Sequence, residues 1–392
     1  MSSSRPIGLV LSGGGARGAY EVGVLLHVAE ELPGLLDRVR VMTGASVGAV
    51  NSAYLASHGL TVESVRALAD IWRTLDIDEL VAIDKDGLRD LLAAGGKRLI
   101  GRPVESPPVG LLRVDGIANI VREQADWHNL ARVVRRGRFD AVGFAATDIA
   151  SGSTHFFVDH RSSITPRWSH GDDAPTPIRT VLGPAHVLAS AAIPLLFPPV
   201  EVTGRWYMDG GVRYNTPLAP ALGLGAESLF IVSVRAAPDT HRDAPEGTFS
   251  GFGQIVGKVL DSVFLDRIGF DLDRLTRINH MVAAVEEAGG PTLLAAMHDQ
   301  LFAKGRPRYR EVDTAHIRPT HDLGALAASH LEAANHSRPF SFARVLRALF
   351  QDDTGTTGDA ASFLLFDGGY AGTLIEVGRK DAADAHAALE RL

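Results

Sequence analysis

The chain has 392 residues, 45% of them hydrophobic and 22% charged, the mix of a soluble globular protein with ample material for a core. Lys and Arg number 39 against 46 Asp and Glu, a formal charge of −7, which argues against a nucleic-acid partner and against strong electrostatic attachment to anionic lipid. There is no cysteine, which excludes disulfides, a thiol nucleophile and thiolate metal sites. The start, Met1-Ser2-Ser3-Ser4-Arg5-Pro6, lacks the basic-then-apolar layout of a secretory signal. No run reaches 18 uninterrupted apolar residues, so no transmembrane helix is expected and a cytoplasmic protein is the default.

Ile7–Leu11 is a short apolar run closed by Ser12-Gly13-Gly14-Gly15-Ala16-Arg17-Gly18, which predicts a buried strand ending in a glycine-rich loop. Residues 19–31 follow with helical spacing, Val22, Leu25 and Val28 against Glu21, Glu30 and Glu31. Residues 39–43 predict a second strand, and residues 47–57 a helix of small residues. This order implies a parallel sheet with right-handed crossovers. Ligands bind at the carboxyl ends of such strands, where both Gly13–Gly18 and Gly44-Ala45-Ser46-Val47-Gly48 lie.

Further along, residues 61–75 predict a helix. Residues 76–129, broken by Gly95-Gly96 and Pro103, Pro107 and Pro108, read as a helical excursion off the sheet. Residues 139–147 predict a strand, with 154–158 its hairpin partner across Ser151-Gly152. Residues 160–177 read as a polar surface loop, 181–192 as a helix and 193–200 as a rigid extended segment. A short strand over 205–208 ends at Asp209, and 229–234 is another buried strand. Residues 252–278 carry the longest helical pattern, read as a helix packed on the body or, more sharply, as a lid, dimer face or lipid-docking surface. Residues 315–319 predict a late strand, and the tail from Phe340 is helical with a loop at 351–359. No internal repeat stands out, and no composition break marks a second domain.

The chemistry starts from the second glycine motif. Gly44-x-Ser46-x-Gly48 between a strand and a helix is the context in which a turn presents a serine hydroxyl, so Ser46 is the candidate nucleophile. Gly13–Gly18 also fits the dinucleotide pattern G-x-G-x-x-G, but the second strand ends without the carboxylate such a site needs. Asp37 has about the right distance yet precedes that strand. Three successive glycines exceed what a turn requires, because each costs folding entropy. Gly13, Gly14, Gly15, Arg17 and Gly18 therefore read as an oxyanion hole at a helix N-terminus. Serine needs a base. His280, His298, His321, His330 and His336 are late candidates without distinguishing context. The other candidate is Asp209, ending a strand before Gly210-Gly211; in a desolvated pocket its pKa can rise enough to take the proton.

Together Gly13–Gly18, Gly44–Gly48 and Asp209–Gly211 resemble the patatin-like phospholipase family. The flanking Ala189–Val200, Asn215-Thr216-Pro217-Leu218 and Ala146-Thr147-Asp148 are similar in style. The resemblance implies a three-layer α/β/α fold with a mainly parallel sheet and additional C-terminal helices. It implies a Ser46–Asp209 dyad without histidine, no cofactor and no metal, acting on acyl esters of phospholipids, lysophospholipids or neutral glycerides. It divides the chain into a catalytic core over residues 6–235 and a mainly helical extension over 236–392 packing on it. A second Asp-Gly-Gly, Asp367-Gly368-Gly369, lacks the flanking pattern and reads as an ordinary turn. A second enzyme reading keeps the dyad and passes the acyl group to an acceptor other than water. A non-catalytic lipid-binding or regulatory module and a nucleotide-binding protein compete with both enzyme readings. Membrane contact is expected to be transient and peripheral, through the face of residues 252–278 or through Trp127 or Trp168 on loops. The sequence does not define an oligomeric state.

Overall fold

Near-continuous apolar runs such as Ile7–Leu11 suit strands covered on both faces, because each side chain, in or out, then meets another layer. A computed structural model describes residues 5–84, 110–166, 174–236, 268–303, 309–333, 342 and 358–392. Its strands are β1 (Ile7–Leu11), β2 (Val39–Ala45), β3 (Ala82–Ile83), β4 (Leu112–Arg113), β5 (Ala141–Asp148), β6 (Thr154–His160), β7 (Thr176–Arg179), β8 (Val200–Val202), β9 (Arg205–Asp209), β10 (Ser228–Val232) and β11 (Asp313–Ile317). A nine-stranded sheet runs β11-β10-β1-β2-β5-β6-β7, with β9 on β5 and β8 on β9; β3 and β4 form a separate ribbon. From β11 to β5 every pairing is parallel.

The described helices of six or more residues are α1 (Gly18–Glu31), α2 (Val47–His58), α3 (Val62–Arg73), α4 (Asp115–Gln124), α5 (Trp127–Arg135), α6 (Pro184–Ser190), α7 (Leu218–Gly223), α8 (Ile268–Ala303), α9 (Leu323–Ala333), α10 (Gly358–Leu364) and α11 (Gly368–Asp384). Side-chain alternation sorts the strands between two cores. Leu9, Leu11, Met42, Phe144, Phe230 and Val232 pack with residues of α1, α2, α3 and α11. Val10, Val41, Ala145, Leu229 and Ile231 pack with Leu218 and Ala221 of α7 and with Ile268 of α8. The sheet is thus the middle of three layers. On the first face α11 lies along α1. A β-carbon at Gly23 would stand 2.1 Å from the Ile375 carbonyl oxygen, so the two backbones touch. The Tyr20 hydroxyl donates to Asp381 across this seam at 3.0 Å.

The structure departs from the sequence expectations in four places. Within the stretch read as a surface loop, Thr176–Arg179 forms an edge strand parallel to β6. Pro177 hides it, since proline is tolerated only where no ladder donor is needed. Residues 193–200 are folded into turns, with Leu195 at φ 68°, rather than extended. The helix expected over 181–192 begins at Pro184, a residue suited to a first helical position. Trp127 opens α5 instead of lying on a loop. Of the long pattern at 252–278, residues 252–267 lie outside the described residues, as does Trp168. From Ile268 a helix continues to Ala303, broken at Gly290 with φ 64°. Among the described residues no helix is long and apolar enough to cross a membrane.

Candidate active site

The register of β5 brings the two candidate catalytic residues together. Its one edge is paired along most of its length with β6. On the other edge β2 occupies positions 141–145, ending with Ala45 opposite Ala145. The next positions are taken by β9 running the opposite way, with Asp209 opposite Ala146 and Tyr207 opposite Asp148. Strands β2 and β9 therefore meet nearly end to end. Ser46 leaves the sheet where Asp209 arrives. The Ser46 Oγ donates to Asp209 Oδ2 at 2.6 Å, and both residues are buried.

Ser46 sits at φ 51°, ψ −125°, a left-handed conformation that costs energy for a non-glycine residue and turns the hydroxyl out at the elbow. The flanking glycines follow from steric closeness. A β-carbon at Gly44 would lie 2.5 Å from the Gly48 carbonyl oxygen, and one at Gly48 would lie 2.4 Å from that of Leu11. Ser190, at the end of α6, secures the turn. Its hydroxyl accepts the Ser46 N–H at 3.0 Å and donates to the Ala145 carbonyl at 2.6 Å, while its own carbonyl accepts the Gly210 N–H at 3.1 Å.

Asp209 has no cationic partner among the described residues. Its Oδ1 accepts the Gly211 N–H at 2.7 Å, and Thr147 Oγ1 donates to its main-chain carbonyl at 3.0 Å. Burial of the carboxyl raises its pKa to about 7, against the lowering pull of the Ser46 hydroxyl and the Gly211 amide. A carboxyl titrating near neutrality is a competent base for a hydroxyl hydrogen-bonded to it.

The glycine-rich loop crosses in front of this pair. Gly15–Arg17 forms a single 3-10 turn leading into α1. The Gly13 N–H is taken by the Asn215 carbonyl at 3.2 Å, and the Arg17 N–H by the Gly14 carbonyl at 3.2 Å. The Gly18 N–H turns back to the Gly15 and Ala16 carbonyls. The amides of Gly14, Gly15 and Ala16 donate to no acceptor among the described residues, and Gly15 lines the same cavity as Ser46. Of the five loop residues singled out by sequence, Gly13, Arg17 and Gly18 use their amides within the protein, and those of Gly14 and Gly15 have no acceptor among the described residues. The Arg17 side chain is buried, its Nε donating to Ser362 Oγ at 2.8 Å.

The cavity encloses about 830 Å³, mouth included. Ser46, Trp72, Leu80, Ile117, Trp127 and Phe366 are among its walls. Apart from Ser46 and Gln124, the described residues of its walls are apolar or aromatic residues and glycine. Among the described residues no histidine lines it. His330 instead holds Asp367 at 2.7 Å, and His336 lies outside the described residues. Among the described residues no group of three or more His, Asp or Glu is arranged to hold a metal. Ser190 and Asn215 are site residues that the sequence marks only as flanking context. Their signal is a run of small residues in one case and Asn-Thr-Pro in the other, and their roles depend on contacts far along the chain.

The model of the patatin-like phospholipase family matches residues 9–222, a span holding Gly13–Gly18, Ser46, Ser190, Asp209 and Asn215 but not Ser362 or Phe366. No curated protein matches the chain by sequence. Similar solved structures include VipD from Legionella pneumophila, 14% identical over 93% of this chain and 67% of that one, at a TM-score of 0.35. The type III effector ExoU is 16% identical over 90% of this chain and 70% of that one, at 0.30. Human GIVD cytosolic phospholipase A2 is 12% identical over 99% of this chain and 59% of that one, at 0.35. At such distances the assignment rests on the family match, which covers more than half of the chain. On that ground this chain belongs to the patatin-like phospholipase family and is a lipid hydrolase.

Proposed function

We propose that the protein is a serine acyl-ester hydrolase acting on phospholipids, lysophospholipids or related lipid esters. The observation that carries this reading is the 2.6 Å contact between Ser46 Oγ and Asp209 Oδ2, with Ser46 lining an apolar cavity. In the forward step Ser46 Oγ attacks the ester carbonyl carbon and its proton passes to Asp209 Oδ2. The carbonyl oxygen becomes an oxyanion facing the amides of Gly14 and Gly15. Preorganised donors of this kind supply a large share of the stabilisation in acyl transfer. Collapse of the intermediate expels the alcohol, which takes the proton back from Asp209, and leaves an ester on Ser46. Water then repeats the sequence with Asp209 as base and releases the fatty acid. The acyl chain occupies the cavity, whose near lack of polar groups suits a hydrocarbon.

Labelling with a fluorophosphonate, read by intact mass, tests this reading. One adduct on the wild type and none on Ser46→Ala is the expected result. Ester hydrolysis persisting at wild-type rate in Ser46→Ala would overturn it.

A further inference from the structure

The family match ends at residue 222, yet one wall of the site comes from the far end of the chain. Gly15 is at φ 56°, and a β-carbon there would stand 2.1 Å from the Phe363 carbonyl oxygen. The backbone of α10 is therefore pressed against the middle of the glycine loop. Two residues on, the Arg17 side chain reaches into the same helix. Its Nε donates to Ser362 Oγ at 2.8 Å, and its guanidinium carbon lies 3.9 Å from the centre of the Phe363 ring. Arg17 and Ser362 are both buried. A guanidinium hydrogen-bonded and stacked on an aromatic face is held in one orientation. Just beyond, Phe366 lines the cavity that Ser46 and Gly15 line.

We infer that Ser362 and Phe363 are positioning residues for the oxyanion loop, acting through Arg17, and that Phe366 sets the shape of the acyl cavity. The inference rests on reading Gly14 and Gly15 as the oxyanion donors. Arg17 is then an internal strut. Its charge is directed away from the cavity, into the C-terminal segment, and what it contributes to turnover is the placement of two amides. A loop with three glycines has little conformational preference of its own, so its geometry depends on what abuts it. A displacement well under 1 Å weakens a hydrogen bond to a developing oxyanion while leaving acyl-chain binding intact.

The test uses the full-length protein, a nitrophenyl ester series and four variants: Ser362→Ala, Ser362→Thr, Arg17→Gln and the double variant Arg17→Gln/Ser362→Ala. Expected for Ser362→Ala is a fall in kcat of about tenfold with KM within twofold of wild type and a melting temperature lowered by a few degrees, because a buried guanidinium N–H loses its acceptor. Ser362→Thr, which keeps the hydroxyl, restores kcat. The double variant is no slower than Arg17→Gln, because the two residues act as one unit. A kcat for Ser362→Ala within twofold of wild type overturns the inference. So does a double-variant loss equal to the product of the single losses, or a loss that tracks a lowered melting temperature and is not restored by threonine. Fluorophosphonate labelling separates this failure from that of the underlying reading. If wild-type Ser46 is labelled, the site stands and only the strut is at issue. If wild-type Ser46 is not labelled, the site reading falls and the strut with it.

Discussion

The same three residues, Asp-Gly-Gly, occur at 209–211 and at 367–369, in surroundings that drive the two carboxyls in opposite directions. Asp209 is fully buried, accepts one hydroxyl and one amide, and is pushed up to about 7 by burial. Asp367 is a helix N-cap. It accepts the N–H groups of Gly369 and Tyr370 at 2.9 and 3.1 Å, and His330 Nε2 lies 2.7 Å away. Partial burial alone would raise it, but the His330 contact and the helix amides outweigh this and hold it below the ordinary carboxylate range. The difference lies in what each turn meets: β5 and an elbow serine in one case, the first turn of α11 in the other. What sets the proposed catalytic aspartate apart is therefore strand register, which the tripeptide alone does not carry.

The sharpest break of this comparison is in turnover. Asp209→Asn and Ser46→Ala are each expected to lower ester hydrolysis by three orders of magnitude or more, on the order of losses seen when a catalytic unit is broken. Asp367→Ala should stay within a few-fold of wild type; initial rates on one nitrophenyl ester compare all three. Equal losses at Asp209 and Asp367 would contradict the distinction.

Next in size is the pH dependence. As a base Asp209 must be ionised, so kcat/KM rises with pH through about 7 and levels above it. Stability runs the other way. The folded pKa lies above the unfolded value, so this group favours folding at low pH and the advantage is lost as pH rises through about 7. Asp209→Asn removes that loss and should be more stable than wild type at pH 8 to 9, by an amount on the order of a few kcal/mol. Urea unfolding at pH 5 and pH 8.5 measures it, and a variant less stable at the higher pH would refute the assignment.

Ser190→Ala strips the Ser46 amide of its acceptor inside a buried turn. A stability loss of roughly 1–3 kcal/mol is expected, with a several-fold fall in kcat, both read on the same purified variant. The smallest effect belongs to the cap. Asp367→Ala should cost about 1 kcal/mol at neutral pH. Because the folded pKa of Asp367 is depressed, that cost should shrink as pH falls through the folded value. Paired melts at neutral and acid pH show whether it does.

What the sequence made legible was local. The strand–glycine–helix order placed Gly13–Gly18 and Gly44–Gly48 at one sheet edge, and the apolar run Ile7–Leu11 predicted a buried strand, whose Val10 and Leu11 do enter two different cores. The remainder depends on partners remote in sequence. Nothing near Ser190 says that its hydroxyl will accept from an amide 144 residues earlier. Arg17 looked like part of an anion site because arginine beside glycines suggests one; its actual partner, Ser362, lies 345 residues on. Thr176–Arg179 escaped notice because a proline-bearing edge strand lacks the apolar run of a central one. Residues 193–200 misled because their prolines suggest extension, while Leu195 at φ 68° turns the chain.

The place of β1 in the sheet also bears on how the protein is made. It lies between β2, which follows it closely, and β10, whose Ser228 pairs with Ile7. One edge of β1 finds β2 within a few tens of residues, but the other waits for β10, from the other half of the chain. Pairings of such high contact order close slowly, and an apolar strand with one edge open is prone to aggregate meanwhile. Refolding is therefore expected to be slow for a chain of this size, and protein yield should depend on chaperone supply more than on any single residue of the site.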